Sequence, residues 1–280
     1  MDLARIAQQL PWLWPSNIDS TLLAILRDRQ AAELERLQAA EMAGEGAIIN
    51  DELAGALLSV VGDANTSEEL RTRAALSLGP VLEHMDTDSF GDLPGLDEDS
   101  FDAPPISEHT FRRIQQSLHA RYQETDIPKE VRRRILEASV RAPADWHPDA
   151  VRAAYSSEDR DWRLTAVFAM RWVAGFGDEI VAALDDPDDE IRYEAVWAAG
   201  NWEIDGTWPH VSALLSAPDT DKALLLAAIE AAASINPREA KPLLAELTDS
   251  QDTDIADAAD SAMMMASSPF DHDFDDESEL

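Results

Sequence analysis

Two sets of side chains in this sequence are spaced so that they could hold another molecule. The first is apolar and aromatic. Leu164, Phe168 and Trp172 recur every fourth residue, and Tyr193, Trp197 and Asn201 take the same positions one segment later. Residues four apart share one stripe of a helix. Such a stripe would grip a flat ligand or an apolar partner, since aromatic anchors dominate binding surfaces; packing between neighbouring helices is the competing use. Trp146, Trp202 and Trp208 stand near turns where they would rim the same surface. The second set is basic. Arg132, Arg133 and Arg134 form an island with Arg112, Arg113, Arg121, Lys129 and Arg141. Guanidinium forks suit an acidic protein segment or a phosphate compound. The competing uses are a solvated helix face, or neutralisation by the nearby Asp92, Asp97, Glu98, Asp99 and Asp102.

Catalytic chemistry leaves no comparable trace. His84, His109, His119, His147, His210 and His272 fall into no HExxH or other metal-binding spacing, and only His272, between Asp271 and Asp273, offers a weak divalent-ion site. There is no glycine-rich phosphate loop and no nucleophile elbow. With no cysteine, disulfides, thiolate catalysis and cysteine zinc sites are excluded. No catalytic residue, cofactor or metal is expected.

Charge narrows the partners further. Fifty-six acidic residues against 22 basic ones leave a formal charge of −34. Nucleic-acid binding draws its affinity from basic groups that displace counterions, so this chain is a poor candidate for it. The acid suits a solvated surface in a salty cytoplasm, with nucleic-acid mimicry as the alternative. Thermal stability should rise with ionic strength as the self-repulsion is screened. Neither a run of about 18 apolar residues nor a signal-like start is present, so a cytoplasmic protein with no membrane contact is expected.

The elements that must position these side chains repeat. EELRTRAALSLG (68–79), KEVRRRILEASV (129–140), RDWRLTAVFAMR (160–171) and DEIRYEAVWAAG (189–200) align without a gap. Each has an acid two places before an arginine (Glu69/Arg71, Glu130/Arg132, Asp161/Arg163, Glu190/Arg192), followed by small apolar residues at helical spacing. The last three arginines are 31 and 29 residues apart, the period of a stacked helical repeat. Units of this kind bury their apolar faces only against neighbours, which yields an extended surface rather than an enclosed pocket. Around the repeats, Asn17 and Asp19 predict the start of one N-terminal helix of about 20 residues. Its apolar positions include Leu22, Leu26, Leu34 and Leu37, and Gly44 and Gly46 end it. Asn50 caps the next helix, Thr66 with Glu69 forms a capping box for a third over 67–84, kinked at Gly79–Pro80, and Ser107 caps a fourth. The expected organisation is N-terminal capping helices over 1–49, a repeat array over 50–266 interrupted by an acidic loop at 86–106, and a disordered acidic tail over 267–280.

LDDPDDEIRYEAVWAAG (184–200) and DRDWRLTAVFAM (159–170) resemble HEAT repeats of the bacterial and archaeal kind grouped with phycobilisome-lyase HEAT-like repeats. The resemblance implies an all-α, right-handed α-α superhelix of HEAT/armadillo type, with about six helix pairs behind an N-terminal capping helix. It also implies that Asp159 and Asp188, with Arg163 and Arg192, link adjacent repeats. The two C-terminal pairs depart from the pattern in lacking the arginine. The implied role is a non-catalytic scaffold whose concave face holds another protein. The alternative is a bilin-lyase-like or chaperone-like holder of a flat ligand on the aromatic stripe.

Overall fold

The computed structural model describes residues 3–88 and 104–267. The acidic loop predicted at 86–106, apart from its two ends, and all but the first residue of the tail predicted at 267–280 lie outside them. The described part of that loop is a correction in itself, because the helix before it runs on to Asp88.

Among the described residues every regular element is helical. Contacts divide the chain into two units, Met1–Ala150 and Val151–Leu280. The first contains α1 (Leu3–Ala7), α2 (Ile18–Arg27), α3 (Glu33–Ala43), α4 (Asp51–Gly62), α5 (Glu68–Leu76), α6 (Gly79–Asp88), α7 (Glu108–Tyr122) and α8 (Lys129–Ser139). The boundary falls inside α9 (His147–Tyr155). The second unit continues with α10 (Arg160–Ala169), α11 (Gly177–Ala183), α12 (Asp189–Asn201), α13 (Trp208–Ser216), α14 (Lys222–Ile235), α15 (Pro237–Leu247) and α16 (Thr253–Ala266).

Each unit is a stack of helix pairs, so the fold is an all-α solenoid. In the first, α2, α4 and α7 lie side by side in one layer and α3, α5 and α8 in the other. In the second, α10, α12, α14 and α16 form a continuous row, and α11, α13 and α15 back them. The rows of second helices pack closely because their facing residues are small. Ala39, Ala40, Ala74 and Ala75 are buried in the first unit, and Ala195, Ala199, Ala228 and Ala232 in the second. Gly200 shows how tight the approach is: a Cβ there would lie 2.9 Å from both the α and β carbons of Ala231 on α14. Overpacking such a contact forces backbone shifts.

The N-terminal region differs from its expectation. One long helix is replaced by the pair α2/α3, because the polar run between them closes a turn in which the Asp28 carboxylate accepts the Gln30 N–H at 2.8 Å. Leu34, expected to be apolar core, is 68% exposed. At the next caps, Asn50 accepts the Glu52 and Leu53 N–H groups and Ser107 accepts that of Thr110, as expected. The third helix is capped by Ser67 rather than Thr66, and it ends at Leu76, with α6 beginning at Gly79.

The repeat arginines are structural in a way the alignment does not predict. Each reaches back to a carbonyl at the end of its own pair's first helix or in the following turn. Arg71 donates to Val61 O at 2.9 Å, Arg163 to Glu158 O at 3.2 Å and Arg192 to Asp186 O at 2.7 Å. Arg132 does the same to Glu124 O, and Arg36, outside the aligned set, to Leu26 O. Carbonyls at a helix end lack intrahelical partners and carry partial negative charge, so a cation there satisfies both needs. These contacts lie within a pair. Successive repeats are linked instead by other charges, among them the first residue of a second helix. Arg160 of α10 pairs with Asp188 at 2.6 Å and with Glu190, and Lys222 of α14 pairs with Asp252 and Asp254 at 2.7 Å. The hydrogen bond from Arg160 holds the Asp188 carboxyl below its ordinary range. Asp188 thus caps α12 and joins repeats, whereas Arg163 and Arg192 join helices within one repeat.

Candidate binding surface

The aromatic stripe forms where α10 and α12 lie side by side. The core face of these helices is as expected: Val167, Met170, Val173, Val196 and Ala199 are buried. Leu164, Phe168, Trp172, Tyr193 and Trp197, one helical step away, are each partly exposed. Phe168 and Trp172 are in ring contact at 4.9 Å, and Tyr193 meets Trp197 edge-on at 6.4 Å.

Between the two pairs sits a charge that sequence inspection passed over. Arg171, just past the end of α10, places its guanidinium 5.0 Å from the centre of Trp197, 5.4 Å from Phe168 and 5.9 Å from Trp172. It is paired with Glu194 of α12 at 2.8 Å, both side chains being 16% exposed. A guanidinium over aromatic faces is attracted by their negative quadrupole, more strongly where water is excluded. The stripe is therefore an aromatic cage around an ion pair. The aligned repeats carried no signal for it: Glu194 falls where the other copies have Arg73, Arg134 and Thr165, a position with no common residue type. Trp197 Nε1 is buried without a hydrogen-bond partner among the described residues. Trp202, 41% exposed, anchors its indole N–H on Met170 O at 2.6 Å, leaving much of its ring in solvent. Trp208 is elsewhere, with its N–H on Glu239 at 2.7 Å.

The basic island belongs to the first unit and is occupied by neighbouring groups. Arg133 is buried and lies between Glu130 at 2.8 Å and Glu137 at 3.4 Å. Arg134 shares the same carboxylates at 3.0 and 2.6 Å. Burial opposes the Arg134 charge, but Glu137 and Glu130 outweigh that cost and raise its affinity for the proton. Arg132 is committed to the carbonyls of Glu124 and Thr125, Arg121 to Glu124, Arg112 to Glu108, and Arg141 to Glu83. Glutamates on and beside the helices thus pair with much of the island, whereas the acids expected to do so, Asp92, Asp97, Glu98, Asp99 and Asp102, lie outside the described residues.

Trp146 packs against His119 with centroids 4.7 Å apart and rings nearly parallel, and against His147 and Tyr122. His147 is 1% exposed. Its Nδ1 accepts the Ala144 N–H at 2.8 Å, so the ring proton resides on Nε2, which donates to Ser139 Oγ at 3.0 Å. Ser139 passes its own hydrogen bond to Leu136 O. Burial first, and then the nearby His119, lowers the His147 pKa to about 4. No carboxylate holds Nδ1, so this is a satisfied core histidine rather than a catalytic dyad. His272 lies outside the described residues, and no described helix is long and apolar enough to cross a membrane.

No curated protein matches the chain. Among solved structures, Escherichia coli YibA aligns at 16% identity over 94% of this chain and 91% of its own, with a TM-score of 0.46. Human deoxyhypusine hydroxylase in complex with glycerol aligns at 16% over 94% and 88%, TM-score 0.40. A designed armadillo repeat protein aligns at 15% over 88% and 98%, TM-score 0.36. In the sequence-family comparison residues 177–264, which span α11 to most of α16, match the family model for HEAT repeats, without a lyase subtype.

Proposed function

We propose that the protein is a non-catalytic scaffold that holds another protein on the row of second helices in its HEAT-repeat unit. The observation that carries this reading is the partly exposed aromatic cage on α10 and α12, flanked by the exposed ring of Trp202. Two neighbouring second helices turn the same kind of side chain to the same side, and large rings that keep one face wet are the usual hot spots of protein interfaces. Arg171 and Glu194 at its centre add a paired charge that a complementary partner would meet only after apolar contact around it.

The test separates binding from folding. Partner proteins retained by the immobilised protein are compared with those retained by Trp172→Ala, Trp202→Ala and, as a stability control, Val167→Ala. A binding surface predicts that Trp172→Ala and Trp202→Ala lose the partner while melting close to wild type, and that Val167→Ala melts lower yet still binds when folded. If Trp172→Ala instead costs about 3–5 kcal/mol, the penalty of a fully buried aromatic, and retention follows only the folded fraction, the ridge is packing and the proposal fails.

A further inference from the structure

The first unit contains an open cleft of about 490 Å³ whose walls are unlike the rest of this acidic chain. Arg27, Arg29, Arg36 and Arg113 line it, against the carboxylates of Asp51, Glu52 and Asp63. A lining with one more cation than anions stands out in a chain of net charge −34. Among the described residues only Arg29 of the four forms an ion pair, with Asp63 at 2.8 Å, while Arg113 acts on Asp51 through its charge. Asp51 is also engaged: burial works against its ionisation, but hydrogen bonds from Ser107 and Thr110, with the Arg113 charge, hold it below the usual carboxylate range. Arg27 has neither an ion pair nor a hydrogen bond among the described residues.

Arg36 is the second, independent observation. Its side chain is only 9% exposed, its one hydrogen bond is to Leu26 O at 3.3 Å, its Nε has no acceptor, and no described carboxylate pairs with it. The partial charge of one helix-end carbonyl at 3.3 Å offsets only part of a buried guanidinium charge, and the remaining N–H groups call for an anion. Opposite it, α4 is cut away. Gly55 lines the cleft, and a Cβ there would lie 2.7 Å from an Arg113 guanidinium nitrogen, so the glycine gives Arg113 its place at the rim.

We propose that this cleft binds a phosphate group, free or as a monoester, between Arg27, Arg36 and Arg113. A dianion matches a buried cation plus two guanidinium forks better than a single carboxylate does, and arginine forks fit the tetrahedral oxygens bidentately. This site is distinct from the aromatic cage, so either can fail alone.

The experiment uses the full chain with inorganic phosphate and O-phosphoserine as probes, each against sodium chloride of equal ionic strength, because any salt relieves self-repulsion. Both probes should raise the melting temperature beyond chloride. Calorimetry on Arg27→Ala/Arg113→Ala should show affinity weakened by at least about tenfold, as expected for lost charge-assisted hydrogen bonds, with the circular dichroism unchanged. Arg36→Met, which removes the buried charge, should abolish the phosphate-specific gain. Tighter binding of O-phosphoserine than of phosphate points to an ester, and equal binding to the free ion. Phosphate that stabilises no more than chloride, an unaltered affinity in the double variant, or succinate binding as tightly as phosphate would each overturn the proposal.

Discussion

The two units each enclose a glutamate–arginine cluster, built in opposite ways. On α8 of the first unit, Glu130, Arg133, Arg134 and Glu137 interlock at three- and four-residue spacing along one helix. In the second unit Arg171 and Glu194 come from different repeats and meet inside a ring of aromatic side chains. The first is complete as soon as its helix forms. The second exists only once two repeats have stacked. A local cluster supports one element, whereas a cross-repeat cluster reports and fixes the register between elements.

The largest effect that would sharpen this contrast is expected from Glu137→Ala, which takes from buried Arg133 one of the carboxylates that hold it. Breaking a buried pair by removing one partner should cost at least about 3 kcal/mol, measured by urea unfolding. A loss under 1 kcal/mol would mean the α8 cluster is dispensable.

Next is a pH effect in the first unit. His147 has a folded pKa of about 4 against an ordinary 6.5. Its contribution is therefore fully present above pH 6.5 and is lost as the pH falls through that window towards 4, where the unfolded chain takes up a proton that the folded one refuses. The loss approaches roughly 3 kcal/mol. Unfolding free energies at several pH values should show this slope in wild type and lack its share in His147→Gln; identical slopes would remove the histidine from the account.

Arg171→Met should cost about 1–3 kcal/mol by leaving the Glu194 carboxylate half-buried without its cation. Arg171→Met/Glu194→Met should recover part of that loss, the difference being the coupling energy across the two repeats. Strict additivity would show that the pair is incidental to stacking. The smallest effect belongs to the exposed clamp: Arg160→Ala should cost at most about 1 kcal/mol, the ceiling for a surface ion pair, and the difference should shrink in high salt.

The same division between local and cross-repeat contacts explains what could be read in advance. The helix pairs, the caps at Asn50 and Ser107, and the core face of Val167, Met170 and Val196 follow from 3.6-residue spacing and from side chains acting on their own backbone. The stripe from Leu164 to Trp197 was visible for the same reason. Arg171 was not, since a lone arginine beyond a helix end has no periodic signature. The split between α2 and α3 was missed because the apolar period continues through Leu34, and the turn closed by Asp28 overrides it.

By itself, the sequence determined that the chain is helical, repeated, acidic, free of cysteine and without a catalytic motif, because composition and local periodicity are properties of short windows. The tertiary structure alone decided which side chains meet across repeats. Arg160 reaches Asp188, 28 residues away, at 2.6 Å, closer than its own neighbour Asp161 at 3.8 Å. Arg27, Arg36 and Arg113 converge on one cleft from three helices. Those meetings depend on how far each repeat is rotated and translated against the next. Close packing of small residues such as Gly200 against Ala231 sets that offset to fractions of an ångström, and no window of a single repeat encodes it.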